Sequence, residues 1–220
     1  MGIKAVLFDH DGTIVDSERA HFEMWRDVLS QYNVQLTYEQ YTNHYVGIPT
    51  TANAKTFIDK YSLNVEVTEL ILEKTKITSE YLSQQAFPLM NGALESLRHF
   101  YEHGLKVGIV TGAGRDGVST TIENYGLEEY ISVIVSGDDV KSSKPAPDCY
   151  LLAARKLGLH PLECLAIEDT YNGSLSAIRA DIKCIGVSSS QNVRDKFSNT
   201  VYECRNLNLA TLWISQNLLV

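Results

Sequence analysis

The chain has 220 residues, a length that fits one sizeable domain or a domain with a smaller insertion. Its formal net charge is −8 and its sequence contains no basic stripe, which argues against nucleic acid and against an anionic membrane surface as partners. No apolar run approaches the roughly 20 residues that span a bilayer, and the segment before Asp9 is too short to be a signal peptide.

The first predicted strand, residues 3–8, is apolar and runs directly into Asp9, His10 and Asp11. Because successive residues of an extended chain point to opposite sides, Asp9 and Asp11 can face the same way, and His10 is expected to point away from them. Two carboxylates this close repel each other unless a shared proton or a cation relieves them, and Mg²⁺ held together with a substrate phosphate is the natural cation. One carboxylate of such a pair could attack a substrate while the other moves protons.

Residues 16–86 carry no strand pattern. Apolar side chains in this segment fall at helical spacing, first at Phe22, Trp25, Leu29 and Tyr32, and then across residues 37–46, 50–60 and 66–84. The pattern predicts a helical module inserted between the first strand and the rest of the chain.

From about Leu89 to the end of the chain, helix and strand patterns alternate. The predicted elements are helix 91–103, strand 105–110, helix 115–125, strand 131–135, helix 147–157, strand 164–168, helix 172–180, strand 184–187, strand 200–202 and helix 207–218. Such alternation is typical of a parallel sheet with helices on both faces, and strand 3–8 is expected to belong to the same sheet.

Polar motifs also follow the next three predicted strands. Thr111 and Gly112 follow the second strand, where a hydroxyl and backbone N–H groups could hold a phosphoryl oxygen. Lys144 follows the third strand within Ser-Lys-Pro-Ala-Pro and supplies a point charge for an anion. Glu168 and Asp169 end the fourth strand. Because ligands of parallel sheets bind outside the carboxyl ends of the strands, we expect these residues to form one site with the first two aspartates.

The Asp-x-Asp-Gly-Thr segment and the three later motifs, in this order, resemble the haloacid dehalogenase superfamily over the whole chain. The resemblance implies an α/β fold with a Rossmann-like parallel-sheet core, formed by residues 1–15 and 87–220, and an α-helical cap domain inserted at residues 16–86. It also implies that Asp9 attacks phosphorus and forms an aspartyl-phosphate. Asp11 would protonate the leaving alkoxide and then deprotonate the hydrolytic water.

The same resemblance implies a Mg²⁺ cofactor bound by Asp9, the backbone carbonyl of Asp11, and Asp169, with Glu168 as a further ligand. Lys144 and the metal would neutralise the phosphate charge that otherwise repels the nucleophilic carboxylate. The second acid argues against a haloacid dehalogenase itself, since that enzyme displaces halide without Mg²⁺ and has no such acid.

Phosphate binding is assigned to the turn after the second strand. Thr111 and the N–H groups of Gly112 and Ala113 would hold the transferring oxygens, and Arg115 would add positive charge. The turn also fits Gly-x-Gly-x-x-Gly, with two aspartates roughly 20 residues further on, which is typical of dinucleotide binding. Its place beside Thr111, where the family holds phosphate, favours phosphate over NAD.

The segment Asp16-Ser-x-x-x-His21 and the helical cap resemble the branch that contains β-phosphoglucomutase and sugar phosphatases. In the mutase, a His at the position of His21 helps delay hydrolysis until a sugar is bound. A mutase grips two phosphates and needs a cationic site in the cap, for which the family uses an Arg. The matching place in this chain holds Thr50, and either Lys74 or Lys76 could match the family's cap lysine.

The turn after Thr111 also departs from the mutase, because Gly114 and Arg115 stand where the mutase has Lys and Asn. We therefore predict a Mg²⁺-dependent phosphatase that hydrolyses a small phosphate monoester, most simply a sugar phosphate. A β-phosphoglucomutase-type phosphomutase is the alternative. His21 and Thr50 are the candidate substrate-binding residues of the cap, and His44, Tyr45, Thr51, Asn53 and Lys55 are further candidates for specificity.

A non-catalytic receiver domain phosphorylated on Asp9 is a third possibility, since such domains also gather acids, Thr and Lys at strand ends. It would not need Asp11 as an acid or a helical insertion of about 70 residues. The expected partner is a small phosphorylated metabolite, and the sequence does not indicate an oligomeric state. The cysteines lack metal-type spacing and indicate reduced thiols in a cytoplasmic protein: Cys149, Cys164, Cys184 and Cys204.

Overall fold

The computed structural model describes residues 2–219. Among these residues, parallel strands form one six-stranded sheet in the order β3-β2-β1-β4-β5-β6. The strands are β1 Ala5–Phe8, β2 Lys106–Val110, β3 Ile131–Val135, β4 Cys164–Glu168, β5 Lys183–Val187 and β6 Tyr202–Cys204. The strand order reverses at β1, so the carboxyl ends of β1, β2 and β4 border the crevice where such sheets bind ligands. The parallel α/β fold confirms the predicted fold class.

The central strand β1 is apolar and buried along its whole length, as expected for a parallel strand covered on both faces. Its register places Leu7 opposite Gly108 of β2 and Ala166 of β4. A Cβ at Gly108 would lie 2.7 Å from Leu7 Cδ2, so the small neighbour makes room for the leucine. This register sets where β1 ends relative to β2 and β4, and therefore where Asp9 and Asp11 lie along the edge of the sheet.

The segment after β1 forms a helical unit with its own core. Its helices are α1 Glu18–Ser30, α2 Tyr38–His44, α3 Thr50–Tyr61 and α4 Val67–Leu82. Phe57 packs against Trp25 and Tyr45, with ring centroids 5.0 Å and 4.4 Å apart. Aromatic pairs at these distances add about 0.5–1.5 kcal/mol each beyond the burial of their area, so this unit has an aromatic centre of its own.

The remaining helices flank the sheet: α5 Ala93–Glu102, α6 Arg115–Tyr125, α7 Asp148–Leu157, α8 Tyr171–Arg179, α9 Gln191–Arg194 and α10 Leu207–Asn217. The helices and strands predicted from the sequence are confirmed, with ends within two residues of those observed. Helix α9 was not predicted, because four residues are too few for a periodic pattern. The last strand starts two residues later than predicted, because its ladder with β5 begins with Ile185 opposite Tyr202.

The chain divides into two compact units. The α/β unit is the segment that ends at Asp16 together with the segment that begins at Pro88, and the helical unit is Ser17–Phe87. Each junction lies one residue after the predicted boundary. The two connecting segments run side by side, since Asp16 N donates to Pro88 O at 2.8 Å and Val15 pairs with Leu89.

The four cysteines are buried and form no disulfide. Burial raises the pKa of the thiols of Cys164 and Cys204 to about 11, so neither thiol is activated. Within residues 2–219, none of the helices combines the length and the apolar character that a membrane span requires.

Candidate active site

The site begins where β1 stops. Asp9 is the first residue after the strand, and its N–H donates to Ile167 O at 2.9 Å, which ties it to β4. Gly12 then turns the chain with φ of +81°, a conformation that side chains rarely adopt. A Cβ at Gly12 would lie 2.0 Å from Asp169 Oδ2, so a glycine is required here for the approach of the Asp169 carboxylate as well.

Lys144 contacts residues at the carboxyl ends of β1, β2 and β4. Its ammonium donates to Asp9 Oδ1, to Glu168 Oε1 at 2.6 Å and to Val110 O at 2.8 Å. The Lys144 side chain is 9% exposed and that of Glu168 is fully buried. The predicted motifs of β1, β2 and β4 therefore meet around one ammonium group.

Burial and charge pull the pKa values of this cluster in different directions. Burial lowers the pKa of Lys144, but the Asp9 and Glu168 carboxylates outweigh that effect and raise it. Burial raises the pKa of Glu168 to about 7, the Asp9 charge adds to the rise, and Lys144 opposes it. Burial likewise raises the pKa of Asp9 against the opposing charge of Lys144. Lys144 is thus positively charged at neutral pH, and it alone does not neutralise the carboxylates around it.

Glu168 is held from two sides by residues that sequence reasoning missed. The Tyr150 hydroxyl, buried on α7, donates to Glu168 Oε1 at 2.7 Å, and the Tyr150 ring centroid lies 5.2 Å from Lys144 Nζ. On the other side, a Cβ at Gly173 would lie 1.8 Å from Glu168 Oε2. A buried tyrosine hydroxyl needs a partner, but the burial of Tyr150 is known only from the structure, so the sequence carries no signal for its role.

The carboxylates fit a divalent cation. Oxygen atoms of Asp9, Glu168 and Asp169 lie within 4.8 Å of one another. Glu168 Oε2 is buried and, among the described residues, accepts no hydrogen bond. When all three carboxylates are ionised to hold a cation, they and the Lys144 ammonium together carry two net negative charges, and oxygen ligands of this kind suit Mg²⁺. The side chain of Asp11 is not part of this group of three, in keeping with its predicted contact through a backbone carbonyl.

The predicted phosphate turn lies at the end of β2. Thr111 is buried, and its Oγ accepts the Ala113 N–H at 3.0 Å. A substrate oxygen would have to displace that internal bond to use the Ala113 donor. Gly112 O accepts from Ser143 Oγ at 3.1 Å, which connects the turn to the loop that carries Lys144.

Arg115 has a structural partner that the sequence did not reveal. Its guanidinium donates to Asp139 Oδ2 at 2.6 Å, and its backbone N–H donates to Asp138 Oδ2 at 2.9 Å. The two acidic residues that could have marked a dinucleotide site therefore stabilise the start of α6. Asp139 would compete with a phosphate for the Arg115 guanidinium, and the role of Arg115 in substrate binding remains a prediction.

His10 does not point away from the acids, and that prediction is wrong. Its Nδ1 lies 3.3 Å from Asp11 Oδ2, and the histidine is 1% exposed. The reason is that β1 ends at Phe8, so the alternation of an extended strand does not continue through His10. Its Nε2 lies 3.0 Å from Thr121 Oγ on α6.

The helical unit contains a second polar cluster. Lys74, which is buried, contacts Thr78 Oγ at 2.8 Å, His21 Nδ1 at 3.3 Å and Met24 Sδ at 3.3 Å. Lys76 is exposed and pairs with Glu80 at 4.0 Å. Of the two cap lysines left open by the sequence, Lys74 is therefore the one beside His21.

The other predicted cap residues have different surroundings. Thr50 is exposed at the first residue of α3. Asn53 is 2% exposed and donates to Tyr45 O at 3.0 Å and Ile48 O at 3.2 Å, so its amide stabilises the loop before α3. Asn53 is thus a structural residue of this loop, whereas the predicted roles of His21 and Thr50 in substrate binding remain predictions.

Comparison with known proteins agrees with this arrangement. The sequence profile of the haloacid dehalogenase-like hydrolases matches residues 6–187. The chain is 30% identical over 183 residues to the fructose-1-phosphate phosphatase YqaB of Escherichia coli, a match that covers 83% of this chain and 95% of the relative. It is also 30% identical over 195 residues to the phosphorylated carbohydrates phosphatase of Thermotoga maritima, with 86% and 88% covered.

Solved structures show the same fold. A crystal structure of β-phosphoglucomutase from Clostridium difficile superposes with a TM-score of 0.81 and covers 99% of this chain and 97% of the neighbour. The two sequences are 20% identical, so this likeness concerns the fold alone.

Proposed function

The chain belongs to the haloacid dehalogenase-like hydrolase family, and we propose that it is a Mg²⁺-dependent phosphatase that hydrolyses a small sugar phosphate through an aspartyl-phosphate. The observation that carries the proposal is the contact of Lys144 with both Asp9 and Glu168 at the carboxyl edge of the sheet. A buried carboxylate beside an ammonium group and an open oxygen ligand suits attack on an anionic phosphate.

The reaction has two halves. In the first, an oxygen of Asp9 forms a bond to phosphorus, the bond from phosphorus to the ester oxygen breaks, and Asp11 gives its proton to the leaving alkoxide. In the second, Asp11 takes a proton from water as that water attacks phosphorus, which releases inorganic phosphate and restores the Asp9 carboxylate. One group serves both halves because it changes its protonation state between them.

The chain's own residues provide the charge balance. Lys144 fixes one oxygen of Asp9 and neutralises part of the phosphate charge. Asp9, Asp169 and the backbone carbonyl of Asp11 would hold Mg²⁺, with Glu168 as a further ligand through its open Oε2. When bound, the cation would neutralise the charge of the transferring phosphoryl group.

The substrate class is supported by the relatives. The Escherichia coli and Thermotoga maritima proteins that match over most of this chain are named as phosphatases of fructose 1-phosphate and of phosphorylated carbohydrates. A phosphomutase is the second candidate, because β-phosphoglucomutase shares the fold. Thr50, an exposed and uncharged residue, stands where the mutase has its distal phosphate anchor, and a hydroxyl cannot bind a phosphate in the bidentate way of a guanidinium.

A phosphate-release assay over sugar, nucleotide and glycolytic phosphate esters, with and without Mg²⁺, tests the proposal. With glucose 1-phosphate we expect free phosphate and glucose, and a coupled assay should detect little glucose 6-phosphate even when a sugar bisphosphate is added as primer. If isomerisation were about tenfold or more faster than phosphate release, the mutase reading would replace the phosphatase reading. Release that does not depend on Mg²⁺ would contradict the metal assignment.

A further inference from the structure

A chain of hydrogen bonds connects helix α6 with the predicted acid–base residue. Thr121 Oγ, on α6, lies 3.0 Å from His10 Nε2, and His10 Nδ1 lies 3.3 Å from Asp11 Oδ2. His10 and Thr121 are buried, so solvent does not compete for these contacts. The phosphatase chemistry described above does not use His10 or Thr121.

The directions of these bonds follow from counting hydrogens. The Thr121 hydroxyl has one hydrogen, and it donates that hydrogen to Gly117 O at 2.9 Å. Thr121 Oγ can therefore only accept from His10, which places a hydrogen on Nε2. In a neutral imidazole with a hydrogen on Nε2, the atom that faces Asp11 is a lone-pair acceptor.

Whichever group supplies the hydrogen, His10 Nδ1 faces Asp11 Oδ2 at 3.3 Å while Nε2 is held by Thr121. A neutral ring would accept a hydrogen bond from the acid form of Asp11, and a charged ring would donate one to its carboxylate. In both cases the contact determines which oxygen of Asp11 faces the ring and how the carboxyl group is turned.

We propose that His10 is a positioning residue that orients the carboxyl group of Asp11, and that Thr121 fixes the orientation of the His10 ring. This inference rests on the proposed function, in which Asp11 acts as the general acid. The proton moves from Asp11 to the ester oxygen as the bond from that oxygen to phosphorus breaks, and His10 keeps its own Nε2 hydrogen throughout.

The leaving group provides a selective test. An alkoxide leaves poorly without a proton, whereas p-nitrophenolate leaves with little help, so a fault in acid catalysis affects alkyl esters more than aryl esters. In His10→Phe, the ratio of kcat/KM for an alkyl phosphate to kcat/KM for p-nitrophenyl phosphate should fall about tenfold or more. His10→Asn keeps an amide oxygen near the place of Nδ1 and should restore part of the ratio.

Substitutions on α6 separate the effect of the hydrogen bond between Thr121 and His10 from the effect of side-chain packing. Thr121→Val should lower the same ratio by a smaller factor, because the ring remains but its Nε2–H loses its acceptor. Thr120→Val, a neighbouring half-buried threonine with no place in this chain of bonds, should leave the ratio unchanged. Equal losses on both esters in His10→Phe would show a purely structural role and overturn the proposal.

A spectroscopic measurement keeps the test independent of how the variants fold. Long-range ¹H–¹⁵N correlation on the wild-type chain reports which ring nitrogen of His10 carries the hydrogen. We expect a hydrogen on Nε2, and a ring with no hydrogen on Nε2 would overturn the assignment. If the wild-type chain released phosphate from neither ester with Mg²⁺, the proposed function would fail and this role of His10 with it. A normal wild-type reaction with an unchanged ester ratio in His10→Phe would remove the His10 role alone.

Discussion

Lys144 in the α/β unit and Lys74 in the helical unit are both buried, but their ammonium groups contact different kinds of partner. Lys144 donates to the carboxylates of Asp9 and Glu168. Lys74 contacts a hydroxyl, a thioether and an imidazole, and its Nζ lies 5.8 Å from the centroid of the Trp25 ring. Both ammonium groups lie near an aromatic ring, but the contacts described for Lys144 include two carboxylates, whereas those described for Lys74 are a hydroxyl, a thioether and an imidazole.

The surroundings of Lys144 and Lys74 illustrate two ways in which a protein can stabilise a buried ammonium group. Around Lys144, opposite charges offset the cost of desolvation, and a surplus of carboxylates remains for a metal. Around Lys74, the described contacts are made by packed polar and aromatic groups. The two sites should therefore respond differently to substitution and to Mg²⁺.

Asp9→Asn should have the largest effect, because it removes the nucleophile while keeping the shape of the side chain. We expect turnover to fall by at least about a hundredfold, with the circular dichroism spectrum and the melting temperature close to those of the wild type. Beryllium fluoride, a phosphate mimic, should be trapped by the wild type only. Asp59→Asn, an exposed position of α3, serves as the control, and substantial turnover in Asp9→Asn would mean that another group attacks phosphorus.

Lys144→Met removes the one ammonium group that lies between the two carboxylates. Leaving buried carboxylates without their partner costs about 3 kcal/mol, which lowers the melting temperature of a chain of this size by roughly 6–12 °C. Because Mg²⁺ can take over part of the neutralisation, thermal unfolding should show a larger stabilisation by Mg²⁺ in the variant than in the wild type. A loss of stability that Mg²⁺ does not reduce would contradict this view of the site.

Gly173→Ala tests the open oxygen of Glu168. An alanine Cβ would lie 1.8 Å from Glu168 Oε2, so the carboxylate must move and the metal site must change shape. We expect Mg²⁺ affinity, measured by calorimetry on the metal-free protein, to fall by about tenfold. Asn172→Ala, an exposed position in the first turn of the same helix, is the matched control. Equal affinities in Gly173→Ala and the wild type would exclude Glu168 from the metal site.

Lys74→Met should have the smallest effect on the metal. The substitution keeps most of the length of the side chain and removes its charge, and the predicted Mg²⁺ ligands all lie in the α/β unit. The dissociation constant of Mg²⁺ should stay within about twofold of the wild-type value, and any shift in melting temperature should be the same with and without Mg²⁺. Lys76→Met, an exposed position of the same helix, is the control. A shift that depends on Mg²⁺ would mean that the two lysines are coupled.

Residues whose type is limited by the chemistry could be predicted from the sequence, and residues whose role depends on packing could not. The motifs around Asp9, Thr111, Lys144 and Glu168 were recognisable because the chemistry limits the residue type and strand ends fix the place. Tyr150 and Gly173 were missed because their roles depend on distances of 2.7 Å and 1.8 Å to Glu168 that only packing determines.

Local geometry explains the errors. The orientation predicted for His10 was wrong because strand alternation was extended past Phe8, where β1 ends. The pairing of the Arg115 guanidinium with Asp139, 24 residues away in the chain, was not visible in the sequence. In the helical unit, the choice between Lys74 and Lys76 needed the rotation of α4, which the sequence pattern did not give with sufficient precision.

The paired connections at Asp16 and Pro88 also bear on how such a chain can evolve. Residues 17–87 leave and re-enter the α/β unit at adjacent points, joined by a hydrogen bond of 2.8 Å. Closing a loop between adjacent points costs an entropy that grows only with the logarithm of loop length, about 0.6 kcal/mol for each doubling. The inserted segment can therefore change in length with little thermodynamic consequence for the α/β unit that carries it.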